Sequence, residues 1–196
     1  MIVSWSSYAE SYLLLIMGPM GSGKSTLAVQ CATHYHDRSY STLFVNSIKD
    51  DRSTSGGTEG KFTSHNTSNR HINENIVCMK VGTLSEIDVS SYQVIVVDES
   101  QFFTDLVDVV NAWLQLSKMI IIVGLDGNYH CEKFGNIIDL IPIADNYYKV
   151  LAKCAYCGSD APFSSRVNGN DHGAKHVMTG GWVSVCRTHH KLLRRL

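Results

Sequence analysis

Nine consecutive residues, Gly18, Pro19, Met20, Gly21, Ser22, Gly23, Lys24, Ser25 and Thr26, fit the pattern G-x-x-x-x-G-K-[ST]. The chemistry open to such a run is polyphosphate binding. Glycines let the chain wrap closely, so that successive backbone N–H groups turn toward phosphate oxygens. A helix starting there adds its positive N-terminal end. Lys24 then neutralises the outer phosphates, and the Ser25 hydroxyl can ligate Mg²⁺.

Residues 94–100 read Val-Ile-Val-Val-Asp-Glu-Ser. A buried strand ending in an acid is where a phosphate-loop protein holds its metal or its reactive group. Asp98 and Glu99 are adjacent at a strand end and point in different directions. One can serve Mg²⁺ while the other serves an acceptor.

A third constellation lies near the C-terminus. Cys154-x2-Cys157 and Cys186-x2-His189 flank an insert of 28 residues, 158–185. Two such knuckles supply four ligands for a tetrahedral zinc. Four protein ligands leave no open position, so the metal is expected to be structural and to tether the insert. Two alternatives stay open: a Cys154–Cys157 redox pair, and His190 in place of His189. Cys31, Cys78 and Cys131 are read as core residues. The remaining histidines, His65 excepted, are read as surface residues.

These groups need a scaffold. Strands are predicted at residues 11–17, 42–46, 75–81, 92–98 and 118–126, and helices at 24–36 and about 105–117. The strand runs are rich in Ile, Val and Leu with little alternation, as in strands covered on both faces. The repeated β-α-β order predicts an α/β fold with a mostly parallel sheet flanked by helices. Residues 47–74 are polar and read equally well as a functional flap or a plain loop. A change of character at about residue 150 divides the chain into 1–150, which binds nucleotide, and 151–196, a small zinc-ribbon unit.

Composition narrows the function. In 196 residues, 17 Lys and Arg face 18 Asp and Glu, for a net charge of -1. The bulk positive charge of a sequence-independent nucleic-acid binder is missing. The longest strongly apolar runs, 13–17 and 119–123, are too short to span a membrane. The first eleven residues show no basic start or cleavage pattern. With cysteines in a metal pattern, this predicts a reducing, cytoplasmic setting.

The separated motifs agree on one resemblance. The chain resembles the type II thymidine kinases over nearly all of residues 11–190. Residues 18–26 resemble that family's P-loop, with Gly21 where a bulky residue is usual. Residues 49–53 (KDDRS) resemble its Lys-Asp-x-Arg segment, and 62–66 (FTSHN) its Ser/Thr-His-Asp loop. DESQFF (98–103) and LDGNYHCEKFG (125–135) resemble two further family motifs. The resemblance implies transfer of a phosphoryl group from ATP to the 5′-hydroxyl of thymidine, with Mg²⁺. It implies Glu99 as general base and a nucleotide side formed by residues 18–25 with Asp50, Asp51, Arg52, Asp98, Ser100 and Gln101. Arg52 and Arg166 are candidates for the charge-stabilising arginine. Residues 158–185 match the family's lasso over the base. Met20, Phe102, Leu125, Tyr129 and Phe134 fall at base-pocket positions, with Ser164, Arg166, Met178 and Trp182 contributed from the lasso side. Trp182 stands where the family has Tyr, and so offers no phenol hydroxyl. A homotetramer is also implied. The P-loop, on its own strand-turn-helix unit, is expected to bind nucleotide independently of the zinc.

Two rival readings remain at this stage. One is a P-loop ATPase that remodels a partner. The other is a zinc-ribbon nucleic-acid module, for which the basic tail at Lys191, Arg194 and Arg195 offers little support.

Overall fold

The computed structural model describes residues 10–50, 75–167, 174, 178 and 180–194. Six strands form one sheet: β1 (Tyr12–Met17), β2 (Thr42–Ser47), β3 (Val77–Val81), β4 (Val94–Val97), β5 (Met119–Gly124) and β6 (Asn146–Lys149). Their order is β3-β2-β4-β5-β1-β6, and every pairing is parallel. Helix α1 (Lys24–His36) and helix α2 (Leu106–Trp113) lie on opposite faces.

Alternate residues of each strand sort to those two faces. Leu13, Leu15, Val45, Val97 and Ile122 pack with Leu106, Val110 and Trp113 of α2. Leu14, Ile16, Phe44, Val96 and Ile121 pack with Ala28, Ala32 and Tyr35 of α1. Both faces are covered, so apolar residues fill β1, β4 and β5 with little alternation. Each such side chain contributes about 1.5–3 kcal/mol on burial.

The edges depart from the sequence reading. β3 pairs only with β2 and leaves Val77, Cys78 and Lys80 exposed. Cys78 is therefore an edge residue, not a core residue. β6 was not visible as a strand; Asn-Tyr-Tyr-Lys is short and half-exposed, and it is held by pairing with β1. The predicted 105–117 helix is α-helical only to Trp113. Leu114–Leu116 then tighten into a 3₁₀ turn, and Ser117 (φ 51°) redirects the chain into β5.

The C-terminal unit holds two small antiparallel pairs. β7 (Ala152–Lys153) pairs with β8 (Asp160–Ala161), and β9 (Phe163–Arg166) with β10 (Trp182–Val185). Helix α3 (Arg187–Leu193) follows. Its own core centres on Ala161, Val183 and Val185. Among the described residues no helix is long and apolar enough to cross a membrane.

Candidate functional site

The glycine-rich loop joins β1 to α1. A Cβ on Gly18 would lie 2.1 Å from the Val150 carbonyl oxygen, and its φ is 151°. Only glycine fits that approach. At the loop's other end Gly23 (φ 85°) opens α1 with no side-chain cap and no acid in the first turn. The first helical N–H groups are thus kept for an anion. Lys24 is buried, with Nζ donating to the Pro19 carbonyl at 2.7 Å across the loop. These residues fit a polyphosphate.

The tip of the loop is gripped from outside its own unit. Met20 N donates to Ser164 Oγ at 2.9 Å, and Ser184 Oγ donates to Met20 O at 2.5 Å. Both serines lie on the β9–β10 pair. The P-loop, read from sequence as lying on a separate strand-turn-helix unit, is thus in direct contact with the C-terminal unit. Pairing geometry, which no local pattern reveals, puts the two units in hydrogen-bond contact.

Asp98 directly follows β4 and is 1 % exposed, with Oδ1 accepting from Glu99 N at 2.9 Å. Glu99 adopts φ 51°, ψ 38° and starts a 3₁₀ turn over Ser100–Phe102. This kink separates the two carboxylates. Gln101 Nε2 donates to Glu99 Oε2 at 2.5 Å, and Gln101 Oε1 accepts from Leu125 N at 3.0 Å. Ser100 is fully buried in the same turn. Asp50 follows β2, buried, and accepts from Asn46 Nδ2 at 3.1 Å. Asp51 and Arg52 lie outside the described residues, as does the whole of 51–74.

The remaining sequence candidates fall into small groups. Phe102 and Phe134 meet edge to face, with ring centres 6.0 Å apart. Tyr129 lies 5.6 Å from Trp182. Arg166 is the cross-strand partner of Trp182 and sets its guanidinium 5.9 Å from that ring. Met178 N donates to Trp182 O at 2.7 Å. Its sulfur lies 3.0 Å from where a Cβ on Gly21 would stand. A cavity of about 200 Å³ opens between the P-loop and the β9 start, lined by Pro19, Asp126, Asn128, Lys149, Phe163 and Ser164. It lies behind the 126–133 loop and does not touch Lys24 or Glu99.

Four ligands converge in the C-terminal unit. The donor atoms of Cys154, Cys157, Cys186 and His189 all lie within 4.8 Å of one another. Cys157 Sγ and Cys186 Sγ are 3.8 Å apart, and His189 Nδ1 lies 3.2 Å from Cys186 Sγ and 3.5 Å from Cys154 Sγ. A tetrahedron with metal–sulfur arms of about 2.3 Å has edges of about 3.8 Å. The set is close to that size and could hold one zinc. All four thiol and imidazole donors are suited to it, and the Ser159 hydroxyl and N–H hold the Cys157 thiol down at about 6, which favours the thiolate. The cysteines are free thiols, so a Cys154–Cys157 disulfide is not formed.

His190, the alternative ligand, points elsewhere. It is 6 % exposed, stacks on Phe163 at 4.8 Å, and brings Nε2 to 3.3 Å from Tyr129 O and 3.4 Å from Cys131 Sγ. His190 is buried, because one turn of α3 directs His189 to the cysteines and its neighbour inward. One sequence expectation is corrected here: Cys131 is exposed and not a core residue, because it occupies a tight turn at φ 63°. Sequence reasoning also missed Ser184, for which no local signal exists. The doubled histidine was the one available hint for His190.

The comparisons come down on one side. A family model described as thymidine kinase matches residues 11–190. The chain belongs to the thymidine kinase family. The thymidine kinase of Yaba monkey tumor virus (strain VR587) is 33% identical over 182 residues, covering 91% of this chain and 93% of that protein. That of myxoma virus (strain Uriarra) is 35% identical over 178 residues, covering 88% and 92%. That of variola virus is 31% identical over 179 residues, covering 90% and 94%. The thymidine kinase match thus takes in the P-loop, the Asp98–Gln101 turn and all four zinc-type ligands.

Proposed function

We propose that this chain is a thymidine kinase in the full sense: it transfers the γ-phosphoryl of ATP to the 5′-hydroxyl of thymidine, giving dTMP and ADP. The observation that carries this is the family match across 11–190, with a P-loop and a strand-end carboxylate pair in one sheet. β1 and β4 both flank β5, so their C-terminal ends open on the same edge. Ligands of parallel α/β sheets bind at that edge.

Backbone N–H groups of residues 18–25 and Lys24 hold the phosphates. Asp98, through water, and the Ser25 hydroxyl would hold Mg²⁺, which would supply positive charge against the phosphates. Asp50, Asp51, Arg52 and Ser100 complete the nucleotide side. Glu99 accepts the 5′-hydroxyl proton as the new O–P bond forms and the bond to ADP breaks. Positioning and charge stabilisation do most of the work, with Arg52 or Arg166 adding positive charge. Phe102, Leu125, Tyr129, Phe134, Met178 and Trp182 give the base apolar and aromatic walls, with Ser164 beside the P-loop. Cys154, Cys157, Cys186 and His189 hold a structural zinc.

We further read the chain as a nucleotide-binding unit (1–150) and a zinc-binding lasso unit (151–196), assembled as a cytoplasmic homotetramer with no nucleic-acid or membrane partner. Light scattering in solution tests the tetramer. A nucleoside panel with ATP and Mg²⁺, scored for monophosphate products, tests the activity. ATP hydrolysis that ignores nucleoside would instead favour the ATPase reading.

A further inference from the structure

We infer that Gln101 is a positioning residue for Glu99: its side-chain amide fixes the orientation of the base and ties it to the acceptor loop. The inference rests on the reading of Glu99 as the base. It departs from the nucleotide-side role that the family pattern suggests for Gln101.

The amide is committed at both ends. Its neighbours fix which end is oxygen and which is nitrogen. Leu125 N–H can only donate, so the amide atom 3.0 Å from it must be oxygen. The NH₂ group then faces Glu99 Oε2 at 2.5 Å. An ionised carboxylate only accepts, so the pair is matched when Glu99 is charged, the state a base requires. Gln101 is 5 % exposed.

The residue also has no room to drift. A Cβ on Gly135 would lie 2.4 Å from Gln101 O, and one on Gly124 would lie 2.8 Å from Gln101 Oε1. The last residue of β5 and the loop that follows it thus both close on it. Glu99 itself sits at φ 51°, which side chains other than Gly rarely adopt. Such a conformation persists where the surroundings over-determine it. The hydrogen bond from Gln101 is one such constraint, and it acts on the carboxylate and not on the backbone. Because Leu125 begins the loop carrying Tyr129 and Phe134, one amide sets the distance between the base and the acceptor's pocket.

The test compares Gln101→Met, Gln101→Glu, Glu99→Gln and the double variant Glu99→Gln/Gln101→Met, with ATP, Mg²⁺ and thymidine. Binding of a non-hydrolysable ATP analogue and a thermal melt confirm that each is folded. Gln101→Met should lower kcat by about 10- to 100-fold, the scale of a misplaced catalytic group. KM for ATP and for thymidine should stay within about threefold of wild type. Gln101→Glu is nearly isosteric and keeps the acceptor for Leu125 N. A role confined to that loop leaves it active, whereas positioning of Glu99 makes it at least as poor as Gln101→Met. In the Glu99→Gln background, Gln101→Met should cost no further activity. Wild-type kcat in Gln101→Met, an effect confined to the KM for ATP, or the same fold loss in both backgrounds would overturn the inference. A wild-type protein that makes no dTMP would overturn the proposed reaction instead.

Discussion

The imidazole of His190 joins two parts of the chain that are 61 residues apart: its Nε2 lies 3.3 Å from the carbonyl oxygen of Tyr129. The same ring stacks on Phe163, and its neighbour His189 faces the cysteines. Through this one residue the zinc cluster and the 125–135 loop share a rigid contact. Tyr129, whose ring meets Trp182, is held from both its backbone and its side chain.

Replacing His190 by Ala should destabilise the protein by about 1–3 kcal/mol, through the lost stacking and the stranded carbonyl. For a chain of this size that lowers Tm by about 2–10 °C. Zinc content should stay at one per chain, and KM for thymidine should rise more than KM for ATP. Loss of zinc in this variant would make His190 the ligand after all.

Lys24→Ala should leave the fold intact, since Nζ donates to the loop's own Pro19 carbonyl. Turnover should fall by at least about a hundredfold, as when one charge-stabilising donor is removed. Steady-state kinetics on folded protein checks it, and full activity would take the P-loop out of the mechanism.

For Glu99→Gln, kcat should drop by about a hundredfold or more while ATP binding changes little. Calorimetry with an ATP analogue separates the two effects. A loss found in ATP affinity alone would assign Glu99 to the metal and return Asp98 as the candidate base.

Cys157→Ser should lower zinc content, whereas His189→Cys should keep it, since four thiolates also make a tetrahedral set. Metal analysis decides both. The sequence alone suggested that nucleotide binding would survive zinc loss. The bonds from Ser164 and Ser184 to Met20 alter that expectation. Apo protein should bind both thymidine and ATP more weakly. Ser184→Ala in zinc-loaded protein should reproduce part of the ATP defect, because it leaves the Met20 carbonyl without its donor. Unchanged ATP affinity in both would show that the serine contacts carry no weight.

The legibility of this molecule follows the range of its interactions. The P-loop, α1 and the central strands are encoded by adjacent residues, so Gly18 to Ser25 and the Ile and Val runs announce them. The zinc ligands are readable because two Cys-x2 spacings fix local geometry whatever lies between. β6 is not readable, since its four residues become a strand only against β1. Cys131 is exposed because of the turn it occupies, at φ 63°, and His190 is placed by contacts about 60 residues away, which no local pattern announces. Gly21 shows both sides. It is a visible departure from the family's bulky residue, but only the fold shows the Met178 sulfur standing over it.

The grip on Met20 also has a meaning in time. Its two partners lie 144 and 164 positions further along the chain. A ribosome adding about 5–20 residues per second finishes them roughly 7–33 s after Met20 itself. Through that interval the nascent chain carries the whole glycine-rich motif in a shape still lacking two of its fastenings. The full set of contacts around the motif is thus a late acquisition in the life of each molecule, arriving with the β9–β10 pair and not with the motif itself.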